Sequence, residues 1–138
     1  MKAGKDVNTL FINGSAHTNG NTARFVKENF TDFETINLAT VKVPPFAGQK
    51  TPDEASKIFE KMRNYDRIII GSPVYFSGIS GLTKTMIEWG STQPRDFLTG
   101  RRIVAFVRGM SANPSGDQPA YGIIKNFADY AGATFTTI

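Results

Sequence analysis

Short apolar runs alternate with amphipathic stretches along the whole chain. The apolar runs predict strands at Thr9–Asn13 and at residues 33–38, 68–70, 102–108 and 133–138. Between them, apolar residues recur with helical spacing at residues 23–30, from Pro52 onward, at 79–89 and at 120–131. Because strands and helices alternate and crossovers are right-handed, the pattern predicts an α/β fold with a parallel sheet covered on both faces.

The run from Ile68 to Ile70 contains no polar residue, which is typical of a central strand buried on both faces of a parallel sheet. We expect Pro73 to end the hydrogen-bonded ladder of this strand. Tyr75 and Phe76 then lie in a loop at the carboxyl end of the strand, where open α/β sheets bind ligands. These two aromatic residues either pack locally over the core or contact a flat aromatic ligand.

Residues 14–22, with the sequence GSAHTNGNT, lie between the first predicted strand and the first predicted helix. A helix start leaves backbone N–H groups unpaired and carries the positive end of the helix dipole, so this loop predicts an anion site. Its glycines have neither the Walker A nor the dinucleotide spacing, and Asn21 stands in place of the Walker lysine. The loop offers hydroxyls and amides, with His17 as its one possible cation, which favours a terminal monophosphate. The alternative is an ordinary turn between strand and helix.

Two segments together carry a family resemblance: GSAHTNGNT at residues 14–22 and SPVYFSGISGLTKTMIEW at residues 72–89. They resemble the flavodoxin-like NAD(P)H-dependent FMN reductases, a family that includes iron–sulfur flavoproteins and quinone-reductase relatives. The length of 138 residues predicts one domain, over residues 1–138. The resemblance implies that this domain is a three-layer sandwich. It also implies a five-stranded parallel sheet in the order 2-1-3-4-5, FMN as the cofactor and NAD(P)H as the co-substrate.

The resemblance also implies site residues. The FMN phosphate would be bound by Ser15, Asn19, Asn21 and Thr22, with His17 where relatives often have arginine. The flavin ring would lie along Pro73, Val74, Tyr75 and Phe76, with Ser77 and Gly78 close by, and a third loop would supply Gly109 and Met110.

Composition and charge exclude several classes of function. The chain of 138 residues has no cysteine, so it offers no thiolate to an iron–sulfur cluster, which the resemblance would put near residues 39–51. Its 16 Lys and Arg residues, against 12 Asp and Glu, are scattered, so no basic patch predicts nucleic-acid binding. No apolar run approaches about 18 residues and the N-terminus lacks a signal-peptide core, so we expect no membrane segment and a cytoplasmic location.

The function implied is that of an FMN-dependent oxidoreductase. Hydride would pass from NAD(P)H through the flavin to free flavin, a quinone or another small-molecule electron acceptor, and no side chain would be needed as a catalytic acid, base or nucleophile. Two other functions remain open on the same fold. One is a flavodoxin-like electron carrier between proteins, and the other is a binding module without flavin.

The predicted fifth strand, at residues 133–138, is the last element of the sequence. A flavodoxin-like domain normally follows this strand with a helix, so we expect one apolar face of the sheet to lack a cover. An uncovered apolar face usually marks an interface, which predicts a homodimer or larger homo-oligomer with Phe11, Phe135 or Ile138 near the contact. The alternative is a shortened, less stable domain.

Overall fold

Strands and helices alternate along residues 7–109 and 117–138, which the computed structural model describes. The strands are β1 (Thr9–Asn13), β2 (Phe33–Asn37), β3 (Arg67–Tyr75), β4 (Gly78–Ile79), β5 (Arg102–Arg108) and β6 (Thr134–Thr137). The helices are α1 (Asn21–Asn29), α2 (Asp53–Met62), α3 (Gly81–Gly90) and α4 (Gln118–Ala131), with a 3₁₀ turn at Leu38–Thr40. None of the helices in the described ranges has the length and apolar character that crossing a bilayer requires.

The sheet has the strand order β2-β1-β3-β5-β6, with every neighbouring pair parallel. This is the predicted order 2-1-3-4-5, because β4 lies off the path and pairs antiparallel with the end of β3. Among the described residues, the short strand β4 is the one strand that the sequence pattern did not predict. As expected, Ile68 and Ile70 are fully buried and β3 lies between β1 and β5.

Pro73 is the last residue of β3 in the parallel ladder with β5, as predicted, but it does not end the strand. The strand continues to Tyr75, and Pro73 pairs in register with Arg108 of β5. The partner on the other side stops earlier, because the last residue of β1, Asn13, pairs with Gly71. Pro73 therefore lies where β3 has a parallel neighbour on one side only, which is a position where a strand tolerates the missing N–H.

Two apolar cores lie on opposite faces of the sheet, because successive strand residues point to opposite faces. The larger core joins β-strand residues such as Ile68, Ile70 and Ile103 to α2, α3 and α4. The smaller core joins the intervening residues Phe11 and Ile69 to α1. The fold is therefore the expected three-layer sandwich.

The α1 side of β6 is less apolar than predicted. Thr134 and Thr136 share this side with Arg102 and Val104 of β5, and both threonines are exposed. Phe135 points to the other face and packs against the larger core, while Phe11 is 1% exposed beneath α1. Ile138, at 44% exposure, is the large apolar side chain left open to solvent there.

The segment around Pro44 is fastened to α3. The fully buried Trp89 donates from its indole Nε1 to the Pro44 carbonyl oxygen at 2.7 Å. Phe46 contacts the same indole edge-on, with ring centroids 4.9 Å apart and an interplanar angle of 86°. Pro44 and Phe46 therefore lie against α3.

Candidate functional site

A cavity of about 580 Å³ opens where β1, β3 and β5 end beside the start of α1. A volume of this size suits a small-molecule cofactor. At one end it is lined by four predicted phosphate-loop residues, Ser15, His17, Asn21 and Thr22. At the other end it is lined by four predicted ring-site residues, Pro73, Val74, Tyr75 and Gly109. The chain therefore brings eight of the thirteen predicted site residues together.

The first turn of α1 presents unpaired donors to the cavity. Gly20 is the N-cap residue and supplies no side-chain cap, and its carbonyl accepts the first helical bond, from the Arg24 N–H at 3.0 Å. Within the described chain, the N–H groups of Asn21, Thr22 and Ala23 therefore have no acceptor. The Thr22 side chain also lines the cavity, and its hydroxyl can donate a hydrogen bond to a ligand. Backbone and side-chain donors thus converge as an anion requires.

The loop before α1 is held in shape by its own side chains. The buried Asn13 accepts the Ser15 N–H on Oδ1 at 3.0 Å and donates from Nδ2 to Asn37 Oδ1 at 3.0 Å. Ser15 Oγ accepts the His17 N–H at 3.0 Å, so its own proton remains available to a ligand. These hydrogen bonds fix the course of the loop where Ser15 and His17 line the cavity.

Two arginines that the sequence analysis missed also line the cavity, together with Glu28. Arg24 donates from Nη2 to Asn21 Oδ1, and Arg108 lies with its guanidinium 5.6 Å from the centroid of the Phe106 ring. Neither arginine has a carboxylate within 4.0 Å in the described ranges. His17 is therefore not the one possible cation of the site, because two guanidinium groups add positive charge to it.

The sequence positions of both arginines could have indicated that they belong to the site. Arg24 follows Asn21 by one helical turn and so shares its helix face. Arg108 directly precedes Gly109, which the family resemblance had assigned to the third loop.

The rest of the cavity wall is apolar and aromatic. Phe25 of α1 and Phe106 of β5 line it as a stacked pair, and Tyr75 lines it with 54% of its surface exposed. Pro73 and Val74 continue this wall along the end of β3. Aromatic and aliphatic groups of this kind suit the faces of a flat ring system.

Some predicted site residues do not line the cavity. They are Asn19, Phe76, Ser77 and Gly78, and Met110 lies outside the described residues. Phe76 and Ser77 form the tip of the β3–β4 hairpin, with φ angles of 51° and 66°. Phe76 is fully exposed, so its assigned contact with the flavin stays a prediction.

The two ends of the cavity match the two chemical parts of FMN. The open amides of α1, the Thr22 hydroxyl and the nearby guanidinium groups suit a phosphate dianion. Pro73, Val74 and Tyr75 suit the isoalloxazine ring. The residues present therefore fit the cofactor that the resemblance implies.

Known proteins match both the sequence and the fold. Over 132 residues the chain is 29% identical to an iron–sulfur flavoprotein of Methanocaldococcus jannaschii, an alignment that covers 84% of this chain and 68% of that protein. The fold matches the apo form of an NADH:FMN oxidoreductase with a TM-score of 0.70 at 17% identity, over 94% of this chain and 72% of the other. It also matches an FMN-dependent NADH-azoreductase from Bacillus anthracis with a TM-score of 0.66 at 15% identity, over 96% and 85% of the two chains.

The archaeal relative is named for an iron–sulfur cluster, but the 138 residues of this chain include no cysteine. They therefore offer no thiolate ligand to such a cluster. The sequence model described as NADPH-dependent FMN reductase matches residues 7–136, almost the whole chain. The chain therefore belongs to the NADPH-dependent FMN reductase family, with a flavodoxin-like fold, FMN as the cofactor and NAD(P)H as the co-substrate.

Proposed function

We propose that this chain is an FMN-dependent oxidoreductase that uses NAD(P)H to reduce free flavin, a quinone or another small acceptor. The observation that carries the proposal is the single cavity of about 580 Å³, which has unpaired N–H donors at one end and an aromatic, apolar wall at the other. FMN when bound supplies the redox chemistry, because its ring accepts hydride and passes electrons on. The chain supplies binding, orientation and electrostatics.

At the phosphate end, the proposed ligands are the Ser15 and Thr22 hydroxyls and the N–H groups of Asn21, Thr22 and Ala23. Hydrogen bonds to a charged acceptor are stronger than those to a neutral one, so the phosphate anchors the cofactor. Arg24 and Arg108 add positive charge to the same cavity, and Arg24 also fixes the Asn21 amide. The charge favours the anion over neutral analogues.

At the ring end, Pro73, Val74 and Tyr75 are the proposed wall for one face of the flavin. Tyr75 is half exposed, so the ring site opens to solvent rather than being sealed inside the core. An open side is what an enzyme of this class needs, because the nicotinamide and the acceptor must reach the flavin in turn. We propose that no side chain acts as an acid, base or nucleophile.

An absorption spectrum of the purified chain with added FMN, followed by anaerobic NADPH, tests the proposal. We expect the chain to retain FMN through gel filtration, the bound flavin to bleach with NADPH, and its colour to return when a quinone is added. Bound flavin that NADPH does not bleach would instead support an electron carrier between proteins. A colourless chain after reconstitution would support a binding module without flavin.

A further inference from the structure

A chain of buried hydroxyl groups links the start of α3 to the phosphate loop. We propose that Thr83 and Ser80 are positioning residues, which orient the Gly14–Ser15 peptide and through it the proposed phosphate ligand Ser15. The inference rests on the proposed function and deepens it, because it explains how the two ends of the cavity are kept in one arrangement.

The direction of the hydrogen bonds follows from the acceptors. Ser80 Oγ donates to the Gly14 carbonyl oxygen at 2.7 Å, and this carbonyl has no proton to return. Ser80 Oγ lies 2.8 Å from Thr83 Oγ1, and its single proton is already used. Thr83 therefore donates to Ser80, and Ser80 donates to Gly14.

The Thr83 hydroxyl is not needed to cap α3. Ser80 is the N-cap residue, and its Oγ already accepts the Thr83 N–H at 3.1 Å. What the Thr83 hydroxyl adds is a second donor to Ser80, which polarises the Ser80 hydroxyl and strengthens its hydrogen bond to Gly14. Both side chains are buried, with Ser80 4% and Thr83 0% exposed, and burial strengthens such a chain of hydrogen bonds.

The peptide between Gly14 and Ser15 is held on both sides. Its carbonyl accepts from Ser80, and its N–H, that of Ser15, donates to Asn13 Oδ1 at 3.0 Å. A peptide plane fixed at both ends sets the direction in which the Ser15 side chain leaves the backbone, and Ser15 lines the cavity. Loss of the Ser80 bond would leave the plane held only through the Ser15 N–H, with the Gly14 carbonyl buried without a partner.

The same cluster reaches the ring end of the cavity. The Ser80 N–H donates to Ser72 Oγ at 2.9 Å, and the Ser72 hydroxyl donates to the Pro73 carbonyl oxygen at 2.8 Å. Pro73 belongs to the proposed ring wall. Ser80 thus contacts both parts of the site. Its Oγ binds Gly14, which precedes the phosphate ligand Ser15, and its N–H binds Ser72, which precedes Pro73 of the ring wall.

Gly14 packs closely against Thr83 and Gly71. A Cβ on Gly14 would lie 1.9 Å from Thr83 Oγ1 and 2.9 Å from the Gly71 carbonyl oxygen. The backbone of the phosphate loop therefore rests directly on the α3 hydroxyl, which only a glycine at this position permits. Because Thr83 and Gly14 are in direct contact, a substitution at Thr83 should alter the position of the loop backbone.

The test compares the affinity of each variant for FMN and for riboflavin, which lacks the phosphate, by flavin fluorescence. Thr83→Val removes the second donor to Ser80 at nearly constant shape, and we expect it to weaken FMN about threefold and to leave riboflavin nearly unchanged. Thr83→Ser keeps the hydroxyl and should restore FMN binding. Ser72→Ala, which leaves the Ser80–Gly14 bond in place, should weaken both flavins equally.

A second variant and a measurement without flavin guard against a folding defect. Ser80→Gly keeps a residue that is tolerated at an N-cap while it removes the donor to Gly14, and it should repeat the selective loss of FMN. In the apo chain, hydrogen exchange of the Ser15 amide should accelerate in Thr83→Val and Ser80→Gly but not in Thr83→Ser.

Equal weakening of both flavins in Thr83→Val and Ser80→Gly, or unchanged Ser15 exchange, would overturn the positioning role while FMN binding by the wild-type chain stands. A wild-type chain that binds no FMN would overturn the proposed function and this inference together. The two failures are therefore distinguishable.

Discussion

Phe25 of α1 stacks face to face on Phe106 of β5, with ring centroids 3.8 Å apart and an interplanar angle of 4°. Phe106 is 3% exposed, and both rings line the cavity. The pair joins the helix that carries the phosphate donors to the strand that leads into the third loop. We expect this contact to matter for both folding and cofactor binding.

A double-mutant cycle measures the stacking. Phe25→Leu and Phe106→Leu should each lower the free energy of unfolding, and the two effects should be non-additive by about 0.5–1.5 kcal/mol, because either change alone already breaks the pair. Denaturant unfolding gives the three values. Phe59→Leu, in the other core, is the control partner for Phe25→Leu and should be additive with it. Additivity within the stacked pair would contradict the prediction.

The Thr22 hydroxyl should report on the phosphate. Thr22→Ala removes a donor that faces the cavity, so FMN should bind about 1.5–3 kcal/mol more weakly, while riboflavin affinity changes little. Titration with each flavin gives the two affinities. Thr18→Ala, in the same loop but not in the cavity wall, should leave both unchanged. If Thr22→Ala weakens both flavins equally, the phosphate assignment is wrong.

Tyr75 should report on the ring. Because 54% of its surface is exposed, Tyr75→Ala should leave thermal unfolding nearly unchanged while it alters the absorption spectrum or the affinity of bound flavin. Tyr75→Phe keeps the ring and should behave like the wild type. An unaltered spectrum and affinity in Tyr75→Ala would remove both Tyr75 and its neighbour Phe76 from the ring site.

The β3–β4 hairpin should gain stability from glycine. Phe76 and Ser77 both have positive φ angles, which suit a tight hairpin turn but are unfavourable for residues with a side chain. Ser77→Gly should therefore raise the free energy of unfolding by about 1 kcal/mol. Ser56→Gly, the same change inside α2, should lower it by roughly 0.5 kcal/mol. If both substitutions changed the free energy of unfolding in the same direction, the backbone strain at Ser77 would be refuted.

The proposed homo-oligomer has a direct test in light scattering. Ile138 remains 44% exposed beside an open sheet edge, and its burial by a second copy would favour association. We expect the scattering mass of a dimer or larger species at micromolar concentration, and a fall in mass on dilution. Ile138→Asp should shift this fall to higher concentration. A monomer at every concentration would argue against the interface.

Sequence pattern predicted the sheet well because burial on two faces leaves a clear signal. The unbroken run at Ile68 to Ile70 identified the central strand, and the family resemblance supplied the strand order that the register confirms. That β3 continues past Pro73 was not predictable from the chain alone. It depends on where β1 stops beside β3, and that is a property of the assembled sheet.

The candidate site likewise contains some residues that the sequence predicted and others that it did not. Loop residues such as Ser15 and Thr22 were predictable, because small polar residues before a helix have a local physical reason. Arg108 and Phe106 reach the cavity from β5, and Phe25 from a position that the helical pattern assigns to the core. Such contributions depend on which strand ends meet in space, so periodicity along the chain does not show them.

In the described chain, α1 covers the smaller core with Val26 and also carries the unpaired N–H groups of the cavity. If this helix opens, Phe11 is exposed to water and the phosphate donors disperse in the same event. A flavin bound to the first turn opposes that opening, in proportion to its concentration relative to Kd. Chains without cofactor should therefore open at α1 and be cut there by proteases, while loaded chains persist. Cofactor supply would then set how long each molecule survives.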